Sequence, residues 1–189
     1  MFVALAIIPD SRQLGSMDGA LSGLVKQAHR PELDRPMKLL SFVGSGTFII
    51  PVALLLLAIV WTRHRRLALV LAGAAITGGL GSTLVKWLIS RPRPHLRPYS
   101  YPSGHTVSIV MFFGLLIYVL WAFELPKAAR WAVVALGIVA TIGVATSRVY
   151  LGAHWFTDVA GGFTGGLAFV LFVVLYLDQE ERAAEPDSR

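Results

Sequence analysis

The sequence contains no cysteine and few charged residues. The absence of cysteine from the 189 residues excludes disulfide scaffolds, thiolate metal sites and cysteine nucleophiles. Charged residues make up only 15% of the chain, whereas an ordinary soluble domain carries about 25%. That is too little charge to cover a globular surface, so the composition argues against a soluble protein, a disordered chain and a coiled coil.

Apolar residues make up 55% of the chain and form long runs. A helix needs about 20 residues to cross a bilayer core. Five stretches qualify: 46–62, 67–89, 106–123, 131–149 and 155–177. The first residues, MFVALAII, are too few to span, and they lack the basic start and cleavage site of a signal peptide. We interpret them as the end of a first helix that is incomplete in this sequence.

These runs predict an all-α fold, a polytopic transmembrane bundle of six helices with the first one truncated. We expect residues 1–177 to form a single membrane domain. Within it, residues 9–45 mix apolar and charged side chains around Pro31 and Pro36, which is typical of amphipathic helices at the outer interface. The acidic end of the chain, 178–189, is predicted to be a disordered cytoplasmic tail.

The basic residues indicate how the bundle is oriented. The excess of 17 Lys and Arg over 11 Asp and Glu lies in clusters between apolar runs, which favours a membrane and not a nucleic-acid partner. The basic loops at 63–66 and 127–130 are separated by two spans, so they lie on the same side of the membrane. By the positive-inside rule, both are predicted to face the cytoplasm. The opposite side then receives Arg91, Arg93 and Arg97, against the positive-inside rule. Binding of an anion there would explain these cations.

Polar residues are predicted to gather at one end of the bundle. Two crossings return the chain to the surface from which it started. The span count therefore places six residues at one membrane surface: Lys86, Arg93, His105, Arg148, His154 and Asp158. Ser103 is a good N-cap, Gly104 lets the backbone approach a ligand, and the N–H groups that begin a helix favour phosphate. Together these features predict an anion site.

The spacing of His154 and Asp158 suits nucleophilic catalysis. Residues four apart lie on one helix face. A carboxylate bonded to one imidazole nitrogen fixes the tautomer and raises the basicity of the other nitrogen, which suits histidine as a nucleophile. His105 could protonate a leaving group and later activate water. Asp158 is the only acid in the set, so no metal site is indicated, and the cations would stabilise phosphoryl oxygens instead.

Three motifs carry a resemblance to a known family. Lys86 is followed after six residues by Arg93-Pro94, and Pro102-Ser103-Gly104-His105 comes next. Ser147-Arg148 is then followed after five residues by His154 and, after three more, by Asp158. This pattern resembles the signature of the type 2 phosphatidic acid phosphatases, lipid phosphate phosphatases related to vanadium haloperoxidases. The small bacterial membrane members have six transmembrane helices and a site that faces away from the cytoplasm.

The resemblance implies a role for each matching residue. His154 would form a phosphohistidine, Asp158 would orient it, and His105 would protonate the leaving group. The resemblance also implies that no metal cofactor is needed. The phosphate cradle would consist of Lys86, Arg93, Ser103, Gly104 and Arg148.

The expected function is hydrolysis of a lipid-linked phosphate or diphosphate at the outer leaflet through that phosphohistidine. Candidate substrates are polyprenyl diphosphate, phosphatidylglycerol phosphate and phosphatidic acid. The alternatives are a lipid-to-lipid phosphotransferase at the same site, a vanadate-dependent oxidase, and a non-enzymatic lipid carrier. The membrane spans argue against the oxidase. The gathering of polar residues at one end argues against the carrier. The oligomeric state stays open.

Other residues have simpler interpretations. Arg91 and Arg97 match no motif position, and we expect them to contact lipid headgroups at least as readily as substrate. His95, in the same loop, is expected to be non-catalytic. A stripe of glycines at helical spacing is expected to serve helix packing: Gly161, Gly162, Gly165 and Gly166.

Overall fold

A computed structural model of the chain describes residues 12–94 and 100–184. Within these ranges every regular element is helical, which confirms the all-α class. A short 3₁₀ turn, Pro31–Leu33, follows the first helix. The α-helices are α1 Arg12–Gln27, α2 Asp34–Val43, α3 Gly46–Arg63, α4 Arg65–Ile89, α5 Gly104–Ala122, α6 Lys127–Tyr150 and α7 Phe156–Ala184. The predicted truncated first helix, together with His95 and Arg97, falls outside the described residues.

Five helical segments are long and apolar enough to cross a membrane, and each overlaps one of the predicted spans. They are Pro31–Arg63, which contains α2 and α3, Arg65–Ile89, Gly104–Ala122, Lys127–Tyr150 and Phe156–Glu180. Large apolar side chains such as Leu54, Leu80, Val139 and Phe172 are more than half exposed on the outside of the bundle. An apolar perimeter of this kind belongs in lipid, so the chain is a multi-pass membrane protein.

Local sequence signals end these helices and turn the chain. Ser45 caps α3, because its hydroxyl accepts a hydrogen bond from the Phe48 N–H at 3.3 Å. His64 alone joins α3 to α4, which makes a tight hairpin. The link between α6 and α7 turns at Gly152, whose φ of 63° is accessible to glycine without strain. Short links like these place consecutive helices antiparallel and side by side.

Helix α5 lies at the centre of the bundle. It packs most extensively against α6 and α7, and it also contacts α3 and α4. The core around it includes Ile109 and Phe113 of α5, Val144 of α6 and Ile49 of α3. Burial of both faces of α5 fixes the position of its first turn, where Gly104 and His105 lie.

The N-terminal helices cover one end of this bundle. Helix α2 packs along α6, and α1 contacts both α6 and α7. Tyr150, at the end of α6, exchanges hydrogen bonds of 2.9 Å with the backbone N–H and carbonyl of Arg30. The segment predicted to form interfacial helices therefore rests on the same end as the motif residues.

The C-terminal segment differs from the prediction of disorder. Helix α7 continues to Ala184, so residues 178–184 are helical. Asp178 pairs with Arg182 one turn later at 3.0 Å, and Glu180 pairs with Arg66 of α4 at 2.9 Å. These ion pairs extend the helix beyond its apolar part. Residues 185–189 lie outside the described part of the chain.

Candidate active site

The residues predicted for the site converge where α4 and α6 end and α5 and α7 begin. Lys86 lies in the last turn of α4, His105 in the first turn of α5, Arg148 in the last turn of α6 and Asp158 in the first turn of α7. Electrostatic interactions connect these groups with Arg93 and His154. The structure thus brings the predicted residues together at one end of the bundle.

Lys86 and Gly104 form one side of the site. The Lys86 ammonium donates a hydrogen bond to the carbonyl of Pro102, just before α5 begins. A Cβ atom placed on Gly104 would lie 3.5 Å from Nζ of Lys86, so the ammonium stands directly beside the start of this helix. The first N–H groups of a helix lack partners within it. A cation and these N–H groups therefore point to the same small volume, which suits an anion.

Ser103 occupies the N-cap position of α5, as predicted, but its side chain makes no capping hydrogen bond. Its hydroxyl accepts a hydrogen bond from Thr106 Oγ1 at 3.0 Å, and its N–H donates to the carbonyl of Asp158 at 2.9 Å. Ser103 is fully buried. It ties the start of α5 to the start of α7, and it leaves the N–H groups of the first turn of α5 uncapped by its side chain.

His154 and Asp158 lie together and are buried. Nδ1 of His154 is 3.4 Å from Oδ2 of Asp158, longer than a hydrogen bond, and within the described residues Nδ1 has no hydrogen-bond partner. Burial lowers the pKa of His154 from its ordinary value, and the charges of Arg148 and Lys86 act in the same direction. The imidazole is therefore neutral at neutral pH, as a nucleophile requires.

Asp158 is bound more closely by other groups than by His154, which is the partner that the sequence suggested. Its Oδ1 accepts from Arg91 Nη1 at 2.6 Å. Its Oδ2 accepts from the N–H of Trp155 at 2.8 Å and from the hydroxyl of Ser100. These contacts hold the carboxylate in one orientation, and they account for a charged group buried at the start of a membrane helix.

The expectation that Arg91 contacts headgroups or substrate is wrong. Its guanidinium is only 12% exposed and lies between two carboxylates, those of Asp158 and Asp18. The distance from Nη2 of Arg91 to Oδ2 of Asp18 is 2.7 Å. The side chain turns inward because a planar guanidinium can pair with two carboxylates at once.

Two polar residues of the N-terminal helices reach the site, and the sequence reasoning missed both. Asp18 of α1 accepts hydrogen bonds from the N–H and the hydroxyl of Thr157, at 3.1 and 2.5 Å. Ser41 of α2 accepts one from Arg148 Nη1 at 2.6 Å. The one available signal was that Asp18 is the only acidic residue in α1.

Two cations of the site carry buried nitrogen atoms. Nε of Arg93 and Nε of Arg148 are buried and make no hydrogen bond within the described residues. A buried cationic donor without an acceptor is costly. A bound anion would satisfy both groups. Across residues 12–94 and 100–184, no group of three histidine or acidic side chains is placed to hold a metal ion.

The glycine stripe of α7 packs against the site from within the same chain. The ring of Tyr101, which is fully buried, lies against Gly161. Gly162 lies against the backbone of Ser103 and the side chain of Thr106. Burial raises the pKa of Tyr101 to about 12, so its hydroxyl stays protonated. These contacts show why a larger residue at Gly161 would displace the loop before α5.

Comparison with known proteins decides the family. A sequence model of the PAP2 superfamily matches residues 63–182. The chain belongs to the PAP2 superfamily. Phosphatidylglycerophosphatase B of Bacillus subtilis strain 168 is 29% identical over 192 residues, covering 95% of this PAP2 chain and 92% of the relative. An undecaprenyl-diphosphatase of Sulfolobus acidocaldarius is 30% identical over 142 residues, covering 69% of this chain and 64% of the relative.

Solved structures agree with this assignment. A transmembrane PAP2 type phosphatidylglycerolphosphate phosphatase from Bacillus subtilis superposes with a TM-score of 0.84 at 28% identity, covering 95% of this chain and 92% of the other. Aquifex aeolicus LpxE superposes with a TM-score of 0.66 at 20% identity, covering 83% and 94%, which is a likeness of fold. The family predicted from the three motifs is confirmed.

Proposed function

We propose that this PAP2 protein hydrolyses a lipid-linked phosphate or diphosphate through a phosphohistidine formed on His154. One observation carries the proposal. A buried neutral imidazole lies beside the Asp158 carboxylate and within electrostatic reach of Arg148 and Lys86. A neutral nucleophile surrounded by cations suits attack on a phosphate ester, because the cations offset the negative charge of the substrate.

The proposed reaction has two displacements at phosphorus. Nδ1 of His154 faces Asp158, so Nε2 is the atom that attacks. A bond forms between Nε2 and phosphorus while the bond from phosphorus to the lipid oxygen breaks, and His105 gives that oxygen a proton. In the second displacement water attacks phosphorus and His105 takes its proton. The bond between phosphorus and Nε2 breaks, so inorganic phosphate leaves and the neutral imidazole of His154 is restored.

The cradle would bind the phosphoryl oxygens. Lys86 and the first N–H groups of α5, at Gly104, form one side of it, and Arg93 and Arg148 supply buried nitrogen atoms that lack partners among the described residues. Positive charge placed in advance of the reaction stabilises the transition state with little rearrangement. We propose that these residues suffice without a metal ion.

A groove next to the cradle suits the apolar part of a lipid. It has a volume of about 210 Å³ and lies between α4, α5 and α7. Pro102, whose carbonyl accepts from Lys86, forms part of its wall together with Val85, Met111 and Phe169. A lipid could therefore place its phosphate in the cradle and its chain within the membrane-spanning part of the bundle.

The names of the relatives indicate which substrates to test first. The bacillus relative that matches nearly the whole chain is a phosphatidylglycerophosphatase, and the shorter match is an undecaprenyl-diphosphatase. Phosphatidylglycerol phosphate is therefore the first substrate to examine, and polyprenyl diphosphate and phosphatidic acid follow. From the loop charges, we propose that the site faces away from the cytoplasm.

The test is phosphate release from these three lipids by purified protein in detergent with excess EDTA. The proposal predicts release that persists in EDTA and is lost in His154→Ala. Release that EDTA stops, and that returns with added divalent metal, would contradict the metal-free mechanism. If phosphate instead moved from one lipid to another, without free phosphate, the protein would be a phosphotransferase.

A further inference from the structure

We propose that Arg91 and Asp18 are positioning residues for this reaction, and that the N-terminal helix α1 is therefore part of the active site. In this arrangement Asp18 holds Arg91, and Arg91 holds the Asp158 carboxylate in the orientation that faces His154. The inference rests on the proposed function, because it assigns the network to the same nucleophile.

The geometry of Arg91 connects three parts of the chain. Nη1 donates to Oδ1 of Asp158 at 2.6 Å and to the hydroxyl of Thr157 at 2.7 Å. Nη2 donates to Oδ2 of Asp18 at 2.7 Å. Only a guanidinium offers two terminal nitrogen atoms in a fixed plane for two carboxylates. The ammonium of a lysine could not hold both in the same geometry.

These contacts determine which oxygen of Asp158 faces the nucleophile. With Oδ1 bound to Arg91, Oδ2 is the oxygen that lies 3.4 Å from Nδ1 of His154. Trp155 and Ser100 donate to Oδ2, so the carboxylate is held at both of its oxygens only while Arg91 is also bound. Without Arg91, Oδ1 would lose its charged partner, and the carboxylate would turn away from the imidazole.

Asp18 is the residue through which α1 contacts the active site. It is 2% exposed, although it belongs to a helix whose other side chains are mostly exposed. Besides Arg91, it binds both the N–H and the hydroxyl of Thr157. A buried carboxylate is tolerated when paired and hydrogen-bonded in this way, and removal of one partner leaves the other charge uncompensated. The docking of α1 thereby fixes Arg91 in place.

A positioning role differs from substrate binding in a measurable way. The terminal nitrogen atoms of Arg91 are bound to protein oxygens, whereas the buried Nε of Arg93 has no partner in the part of the chain that the structure describes. Loss of Arg91 should therefore lower kcat while leaving KM and inhibition by inorganic phosphate nearly unchanged. Loss of Arg93 should raise both KM and the inhibition constant of phosphate.

The experiment measures kcat, KM and the inhibition constant of phosphate for the full chain in detergent. We expect Arg91→Gln and Asp18→Asn each to lower kcat by about 10- to 100-fold, the effect of removing the outer partners that orient the ligands of a metal site. The double variant should lose little more than either single variant, because the two residues act in one series of contacts. Arg93→Gln is the comparison variant, because its loss should raise KM and the inhibition constant of phosphate.

Two control variants each remove a charge of the same kind as one of the test variants, one arginine and one aspartate. Arg66→Gln breaks an arginine–carboxylate pair at the opposite end of the bundle, and Asp34→Asn breaks an exposed pair with His29 near α1. Both should keep normal kcat. Addition of guanidinium to Arg91→Ala should restore part of kcat, and ethylammonium should not, because only guanidinium reproduces the planar donors.

Several outcomes would overturn the inference. Normal kcat in Arg91→Gln and Asp18→Asn, with His154→Ala inactive, would remove the positioning role and leave the proposed function intact. A rise in KM and in the phosphate inhibition constant like that of Arg93→Gln would make Arg91 a binding residue. Substantial activity in His154→Ala would instead contradict the proposed function itself. If Arg91→Gln is not monodisperse in detergent, Arg91→Lys provides the same comparison with the charge retained.

Discussion

Oδ2 of Asp158 lies 3.4 Å from Nδ1 of His154, and both side chains are buried. The carboxylate is held by Arg91, Ser100 and Trp155, so its position does not depend on the imidazole. The imidazole nitrogen, by contrast, has no partner at hydrogen-bond distance within the described residues. A small movement of His154 on binding substrate would complete this pair, since catalytic hydrogen bonds often tighten only in the complex.

Asp158→Asn tests the orienting role of the carboxylate. An amide keeps the size of the side chain but cannot stabilise positive charge on the imidazole, so we expect turnover to fall by about 10²- to 10⁴-fold. Asp178→Asn is the matched control, because Asp178 lies on the same helix in an exposed pair with Arg182. Phosphate release by the two variants makes the comparison. Equal turnover in both would show that Asp158 does not orient the nucleophile.

The acid limb of the pH profile tests the burial of His154. Because burial lowers the pKa of His154 below its ordinary 6.5, the neutral form persists into mildly acidic solution. The attack rate should therefore decline only when the pH falls below that value. The quantity to measure is kcat/KM, which reports ionisation of the free enzyme and of the free substrate, so the phosphate group of the lipid is titrated separately. An acid limb that is centred at or above the ordinary histidine pKa, and that does not follow the substrate phosphate, would mean that the imidazole is not buried as described.

Gly161→Ala tests the packing of the loop before α5. A Cβ atom at Gly161 would come within 2.5 Å of the hydroxyl oxygen of Tyr101, whose ring is fully buried. We expect a loss of about 1–3 kcal/mol in stability, the usual cost of overpacking, and lower activity. Gly79→Ala is the control, because a Cβ there meets nothing within 4 Å. Thermal unfolding in detergent distinguishes them, and equal midpoints would contradict the packing described here.

Single cysteines test the side of the membrane on which the site lies. The chain has no cysteine of its own, so each introduced thiol is the only one. Glu32 is exposed near the site, and Lys127 is exposed at the opposite end of the bundle. A membrane-impermeant maleimide should label Glu32→Cys in intact cells and Lys127→Cys only after permeabilisation. The reverse pattern would place the site in the cytoplasm.

Features encoded over short stretches of sequence were predictable. The spans follow from apolar runs, and the position of the site follows from the number of crossings between Lys86 and Asp158. The motif residues are brought together because each lies within about one turn of a helix end. Local periodicity and helix length sufficed for this part of the fold.

Contacts between distant segments were not predictable. Arg91 and Asp18 are 73 positions apart, and they meet only because α1 docks on the start of α7. No local pattern distinguishes an arginine that faces headgroups from one that turns inward. The helical residues 178–184 were missed for a similar reason, because Glu180 binds Arg66, 114 positions earlier in the chain.

The most direct test of the central claim is to trap the phosphoryl enzyme. Protein mixed briefly with radiolabelled lipid phosphate and quenched in alkali should retain label, since phosphohistidine survives base and is released by acid. If His154 is the nucleophile, the label maps to His154 and is absent from His154→Ala, whereas Asp178→Asn labels normally. Label that is stable in acid, or that persists in His154→Ala, would contradict the assignment of His154 as the nucleophile.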